Sequence, residues 1–335
     1  MKFLVIRFSS IGDIVLTTPA IRCLKQQVDG AEVHFLTKLS FKTVTEHNPY
    51  IDKFYYYDDD LPGLIKQLKE ERYDYVIDLH KNLRTMRIKA ALRVKTVTYK
   101  KESLHKFLLT RFHINFMSGR HIAFRCLDAV LRFGVKDDGK GLDYFIPFKD
   151  KLSFADLPLS HSMGYVAIVI GASYYTKKLP VSKLQQLCQK IAHPIVLVGG
   201  KEDVPEGEEI ASVDTLKVYN ACGKFNLNES ADLVHNAKVV ISHDTGLQYI
   251  ACAFNKPVIA IWGGTSPKLD VEPFYGYRYL NAVTNKTMYK NMVVPGLLCQ
   301  PCSNYGTETC PVGHFKCMEN QDLDKIRLAV EEYLA

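Results

Sequence analysis

Residues 3–13 read Phe-Leu-Val-Ile-Arg-Phe-Ser-Ser-Ile-Gly-Asp, and this order decides the fold. The apolar run Phe3 to Ile6 has strand length, and the turn Ser9-Ser10-Ile11-Gly12-Asp13 closes it and opens a helix-like stretch. The same pattern returns at Val239 to Ile241, followed by His243-Asp244-Thr245-Gly246. A strand that turns into a helix leaves polar side chains and free backbone N–H groups at its carboxyl end, where open α/β sheets bind ligands. Two such turns in one chain predict two parallel sheets facing each other across a cleft. One half would hold a phosphorylated donor, and the other would supply a carboxylate for chemistry.

Outward from these turns, apolar strand-like runs alternate with helix-length segments. In the first half they are Phe3 to Arg7, Glu32 to Leu36, Lys53 to Tyr57 and Tyr75 to Leu79, with helices expected at Ile21 to Val28 and Leu61 to Glu71. This is the βαβ rhythm of a parallel sheet. It pauses over the loop-like stretch Phe148 to Met163 and restarts at Tyr165 to Ile170, Ile195 to Val198, Val239 to Ile241 and Val258 to Ile261, before a last helix at Asp322 to Tyr333. The expected division is an amino-terminal domain over 1–155 and a carboxyl-terminal domain over 156–335.

A chain of 335 residues with 47% hydrophobic and 24% charged residues fits a folded, water-facing protein of two ordinary domains. Its longest apolar runs, such as Val166 to Ile170 and Val258 to Trp262, fall far below the roughly 20 residues a membrane-spanning helix needs. Arg7 and Asp13 interrupt what would otherwise resemble a signal sequence, so a cytoplasmic protein is expected. Charge is uneven. Lys81 to Arg132 holds thirteen Lys or Arg and only Glu102 and Asp128 as acids, which exceeds the +7 of the whole chain. Lys106-Phe107-Leu108-Leu109-Thr110-Arg111-Phe112-His113 and Arg120 to Arg125 mix bases with bulky apolar groups, as a surface meeting anionic headgroups or a phosphorylated acceptor would. Solvated helix faces are the plainer alternative, and no nucleic-acid motif accompanies the charge.

Several side chains carry candidate chemistry. Asp13, beside Gly12, is placed to take a proton from an attacking hydroxyl; position alone favours a helix cap, and the second turn tips the reading toward a base. Gly171-Ala172-Ser173 ends a strand and Lys177 follows ahead of Pro180, a plausible diphosphate cradle that is not a Walker loop. Thr245 and Gly246 offer a hydroxyl and helix-start amides to the same diphosphate, while Asp244 would orient the loop or accept from donor hydroxyls. Gly199-Gly200-Lys201 reads as a turn. Of nine cysteines, Cys299, Cys302, Cys310 and Cys317 cluster with His314; structural zinc, free thiols and redox pairing all remain open for them.

Taken in order, MKFLVIRFSSIGDIVLTTPA (1–20), Asp78-Leu79-His80-Lys81-Asn82-Leu83-Arg84, Gly171-Ala172-Ser173 with Lys177 to Pro180, Leu197-Val198-Gly199-Gly200, Asp244-Thr245-Gly246-Leu247, and Lys256-Pro257-Val258 running to Gly264-Thr265-Ser266-Pro267 resemble glycosyltransferase family 9, the lipopolysaccharide heptosyltransferases, over almost the whole chain. The resemblance implies a GT-B fold of two Rossmann-like domains and inverting, metal-independent transfer from ADP-heptose, with no cofactor. It implies Asp13 as general base, with Lys177 stabilising the departing diphosphate. Gly171, Ser173, Asp244, Thr245 and Gly246 would hold the donor, and Gly12, His80, Asn82 and Arg84 would meet the acceptor, with ordinary loop and helix-start residues as the plainer alternative for His80, Asn82 and Arg84. That acceptor would be Kdo-lipid A or heptosylated core at the cytoplasmic face of the inner membrane. The chain departs from the family pattern at Tyr249, where His is frequent, at Leu179, where Trp is frequent, and at Asn228 with Glu229, where a ribose-gripping Glu falls. A transferase for another nucleotide sugar, or a catalytically silent nucleotide-sugar or membrane-surface binding protein, is the alternative.

Overall fold

The computed structural model describes residues 1–280 and 286–335. Its contacts gather the chain into two compact units. One comprises Met1–Lys101 with Arg120–Phe145, the other Glu102–Gly119 with Ile146–Ala335.

The first unit holds a five-stranded sheet of β1 (Lys2–Ile6), β2 (Glu32–Lys38), β3 (Lys53–Tyr57), β4 (Tyr75–Asp78) and β5 (Lys95–Thr98), ordered β3-β2-β1-β4-β5 and parallel throughout. The second holds β6 (Val166–Val169), β7 (Ile195–Val198), β8 (Val218–Asn220), β9 (Val239–His243), β10 (Val258–Ile261) and β11 (Tyr289–Met292), ordered β11-β10-β9-β6-β7-β8 and again parallel. Both orders wind outward in two directions from a central pair, so each sheet has a switch point where neighbouring connections diverge. In the first sheet it lies between β1 and β4, where Ile6 pairs with Asp78. In the second it lies between β6 and β9, where Val169 pairs with Ser242. Register therefore brings out the Asp13 turn beside the Asp78–Arg84 turn, and the Gly171 turn beside the His243–Gly246 turn.

Central parallel strands are covered on both faces and read as unbroken apolar runs; VAIV, IVLV and VIAI are wholly buried in β6, β7 and β10. Each unit has its own core, one around Leu4, Ile6, Leu36, Val76 and Ile88, the other around Ile168, Leu197, Ile241, Ile259 and Ile326. Arg22, 1% exposed, crosses the first unit to pair with Asp138 at 2.8 Å and with Asp143.

The segment between the sheets departs from the expected boundary at residue 155. It forms short turns from Phe148 onward that bond to the helix Leu227–Asn236: Asn228 Nδ2 donates to Asp150 at 2.8 Å and the Leu152 N–H to Asp232 at 2.9 Å. Those bonds draw 146–155 into the second unit. The helix Ser103–Phe112, placed by sequence in the first domain, groups with the second unit as well.

Candidate active site

At the first switch point, Ser10 caps the short helix Ile11–Val15, and Asp13 is its third residue. Asp13 accepts at Oδ2 from the Ser10 N–H (3.1 Å) and hydroxyl (3.2 Å), closing a capping box. Asp13 is thus part of the cap without being the N-cap. Its other oxygen, Oδ1, lies 2.6 Å from Nη2 of Arg7. Arg7 is 5% exposed and its remaining donors are engaged as well: Nε with the Ser9 carbonyl at 3.0 Å, and Nη1 with the Leu79 carbonyl and, at 3.3 Å, with the Tyr99 hydroxyl. Burial alone would lower the guanidinium's affinity for its proton; the Asp13 charge outweighs it and holds Arg7 charged. The carboxylate is therefore fixed at one oxygen by a rigid ionic fork and at the other by a helix start.

The neighbouring turn is built on Asp78, whose Oδ1 accepts from the His80 (3.1 Å) and Lys81 (2.8 Å) N–H groups. Burial, with the charges of Arg7 and Lys101, lowers His80 to about 4, and its ring meets Phe8 edge to face. Asn82 caps the helix Leu83–Leu92 through Oδ1, which accepts from Thr85 N–H at 2.9 Å. Arg84 lies over the rings of Tyr57 (4.4 Å) and Phe8 (5.2 Å). Gly12 is buried in the first turn. The structure gathers Gly12, Asp13, His80 and Arg84 with Arg7, Tyr99 and Lys101 at one sheet edge, and gives Asn82 a capping task.

At the second switch point, Lys177 Nζ sits 2.8 Å from Asp244 Oδ2, and the Thr265 hydroxyl donates to the same oxygen at 2.9 Å. Thr245 is the N-cap of the helix Gly246–Ala253, yet its side chain makes no capping bond, so hydroxyl and helix-start N–H groups remain for a ligand oxygen. Gly171 follows β6 so closely that a Cβ there would fall 2.4 Å from Asp203 Oδ2, which explains the glycine; Ser173 is exposed at the bend beyond it. The lysine loop is strapped from a distance. Thr176 exchanges hydrogen bonds with Thr307, N–H to carbonyl at 3.1 Å and hydroxyl from the Thr307 N–H at 2.8 Å, and Tyr175 stacks on Phe315 at 4.8 Å. Gln300 Nε2 donates to the carbonyls of Gly263 (2.7 Å) and Thr265 (3.2 Å), pinning the neighbouring loop.

The three positions that depart from the family pattern are engaged within the fold. The Tyr249 hydroxyl donates to the Val271 carbonyl at 2.5 Å, Leu179 is buried, and Glu229 accepts from the Asn226 N–H at 2.7 Å in a capping box. The clustered thiols are free, and burial pushes Cys317 up to about 12 and raises Cys302, the other sulfurs adding to both. Among the described residues, one group of three potential ligand atoms lies within 4.8 Å of one another, Glu32, His34 and Glu71; the four cysteines do not form such a group. Lys2 already bridges Glu32 (2.9 Å) and Glu71 (2.8 Å) at the amino ends of the strands, at the end of the first sheet opposite its switch point.

Sequence reasoning passed over Arg7, Tyr99 and Thr307. Arg7 had a readable signal, since an arginine at the end of a buried strand demands a partner. Thr307 had none, because it lies 131 residues from Thr176.

Two doubly wound parallel sheets, each carrying polar turns at its switch point, define a GT-B-type glycosyltransferase scaffold. Residues 63–285 match glycosyltransferase family 9 (heptosyltransferase), and the chain belongs to that family. It is a glycosyltransferase. Lipooligosaccharide heptosyltransferase 2 of Haemophilus influenzae is 41% identical over 91 residues, a stretch that is 26% of either chain. Lipopolysaccharide heptosyltransferase 1 of Campylobacter coli is 24% identical over 289 residues, covering 79% of this chain and 84% of the relative. The fold is shared with the ADP-heptose lps heptosyltransferase II of Escherichia coli, at a TM-score of 0.70 and 15% identity over 100% of this chain and 98% of that one.

Proposed function

We propose that this protein transfers heptose from ADP-heptose to the inner core of lipopolysaccharide, onto Kdo-lipid A or a heptosylated core, with inversion at the anomeric carbon and without a metal. The observation that carries the reading is that the chain holds a fixed carboxylate, Asp13, in one unit and a lysine-and-amide cradle at Lys177, Thr245 and Gly246 in the other. The names of the Haemophilus and Campylobacter relatives supply the transferred sugar and the class of acceptor, and that of the Escherichia coli neighbour supplies the donor, ADP-heptose.

In this reading an acceptor hydroxyl oxygen attacks the anomeric carbon while its proton passes to a carboxylate oxygen of Asp13. The bond from that carbon to the β-phosphate oxygen breaks, and its electron pair leaves with ADP. Lys177, the Thr245 hydroxyl and the N–H groups from Gly246 onward stabilise the negative charge that develops there, a role for preorganised donors. Gly171 and Ser173 flank the donor; Gly12, His80 and Arg84 face the acceptor, and Asn82 holds their turn. Without donor, Asp244 occupies the lysine that the diphosphate would claim.

The acceptor side is anionic and membrane-borne in this reading. No helix among the described residues is long and apolar enough to cross a membrane. The helix Ser103–Phe112 and the residues after it expose Leu104, Phe107, Phe112, Ile114 and Phe116 among basic side chains, which supports peripheral attachment to an anionic bilayer surface.

A donor panel tests the proposal. Purified protein should bind ADP-heptose and ADP in preference to UDP- and GDP-sugars; equal or better binding of another nucleotide sugar would reassign the donor.

A further inference from the structure

One side chain at the second switch point has no part in the transfer just described. His243 ends β9, immediately before Asp244, and is 1% exposed. Its Nε2 receives the Leu179 N–H at 2.9 Å. A backbone N–H can only donate, so this ring nitrogen carries no proton and the neutral imidazole holds its proton on Nδ1. Nδ1 is buried and faces the Ile170 carbonyl at the end of β6 without a well-formed hydrogen bond. The ring therefore spans three elements: the end of β9, the end of β6 and the backbone two residues after Lys177.

Resting on the donor assignment above, we propose that His243 is a positioning residue for the donor loop, accepting the Leu179 N–H at Nε2 and so fixing the backbone that presents Lys177 to the diphosphate. Beyond Lys177, the chain meets Pro180 and the helix Val181–Lys190, so Leu179 is the loop's return point to the core. The opposite side is held by Thr176 and Thr307. Anchored at both ends, Lys177 reaches Asp244 from a backbone that has little freedom.

The charged groups around the ring agree with this role. Lys178, paired with Asp203 at 2.9 Å and Glu206 at 2.5 Å, and Lys177, paired with Asp244, both face it, and among the described residues no carboxylate is bonded to the imidazole. Burial first, then these two lysines, lowers His243 to about 3, so the ring remains a neutral acceptor at neutral pH. A protonated ring would set N–H against N–H and push the loop away.

Two variants and one spectrum test the inference in the full-length protein. His243→Leu keeps the volume and removes the acceptor, leaving a buried N–H unpaired; ADP affinity should fall about tenfold or more, with a matching rise in KM for the donor. His243→Gln returns an acceptor oxygen at similar reach and should recover most of that loss. Folded His243→Leu with wild-type ADP affinity and donor KM would overturn the proposal, because a packing role alone would move thermal stability and leave donor binding intact. Nitrogen NMR of the wild type covers the case in which His243→Leu does not fold. It should show a neutral ring, protonated at Nδ1 and bare at Nε2, from pH 8 down to pH 5, and an imidazolium or an Nε2–H tautomer would overturn the proposal equally. Wild type that binds no ADP would refute the donor reading, and with it the claim that the loop serves a diphosphate, while the spectrum would still decide the tautomer.

Discussion

The two switch points each set a carboxylate against a cation, and they are built differently. At the first, Arg7 is buried and committed: besides Asp13 it serves the Ser9 and Leu79 carbonyls and the Tyr99 hydroxyl. At the second, Lys177 has, among the described residues, a single anionic partner, Asp244, whose oxygen it shares with Thr265. An arginine fork with several backbone partners holds a geometry, whereas a lysine is a point charge on a flexible stem that exchanges one anion for another. The difference suits the two tasks proposed for them. A general base must be kept in one place, and a diphosphate site must release one charge partner to take the next.

The largest effect that separates the two should come from Asp13→Asn. Transfer should fall by about 10²–10⁴-fold in kcat while ADP affinity, measured by calorimetry, stays at the wild-type value. A parallel loss of ADP binding would merge the two sites into one.

Arg7→Met should come next, costing about 3 kcal/mol in denaturant unfolding because it strands a partly buried carboxylate and two carbonyls. Lys177→Met should reverse the pattern: stability falls by about 1 kcal/mol, but ADP affinity drops by about tenfold or more, since a charged hydrogen bond to the ligand is lost. Equal stability costs would show that both pairs are structural.

Acidification should act through buried histidines at both switch points. His80 is lowered from 6.5 to about 4 and His243 from 6.5 to about 3, so between those values and pH 6.5 the unfolded chain binds the extra protons. Stability rises with pH across that window and is lost as pH falls from 6.5 toward 4. Thermal melts between pH 7.5 and 4.5 check the sign; a Tm that rises on acidification would contradict it. Smallest of all, Asn82→Ala should cost about 1 kcal/mol through its lost cap, read by denaturant midpoint.

The comparison also explains what the sequence disclosed. Strands covered on both faces are apolar runs, so β1, β4, β6, β7, β9 and β10 were legible within a residue or two. The missed strands, Lys95–Thr98, Val218–Asn220 and Tyr289–Met292, all lie at sheet edges, where short, mixed sequences such as KTVT and YKNM carry no clear period. The turns that carry Asp13, Lys177 and Asp244 were visible because each ends an apolar run. Their supports were not: Tyr99 and Thr307 meet the site only through the fold, at 92 and 131 residues from their partners. Asn82 taught the converse. A polar residue just past a strand end is open to two readings, ligand contact or helix start, and the helix behind it engages its side-chain oxygen.

The most direct test is product analysis. Purified protein given ADP-heptose and Kdo-lipid A should release ADP in step with the addition of heptose to the acceptor, seen as a mass increase of one heptose and an inverted anomeric linkage by NMR. ADP release without sugar transfer, or no consumption of donor while it is bound, would contradict the account.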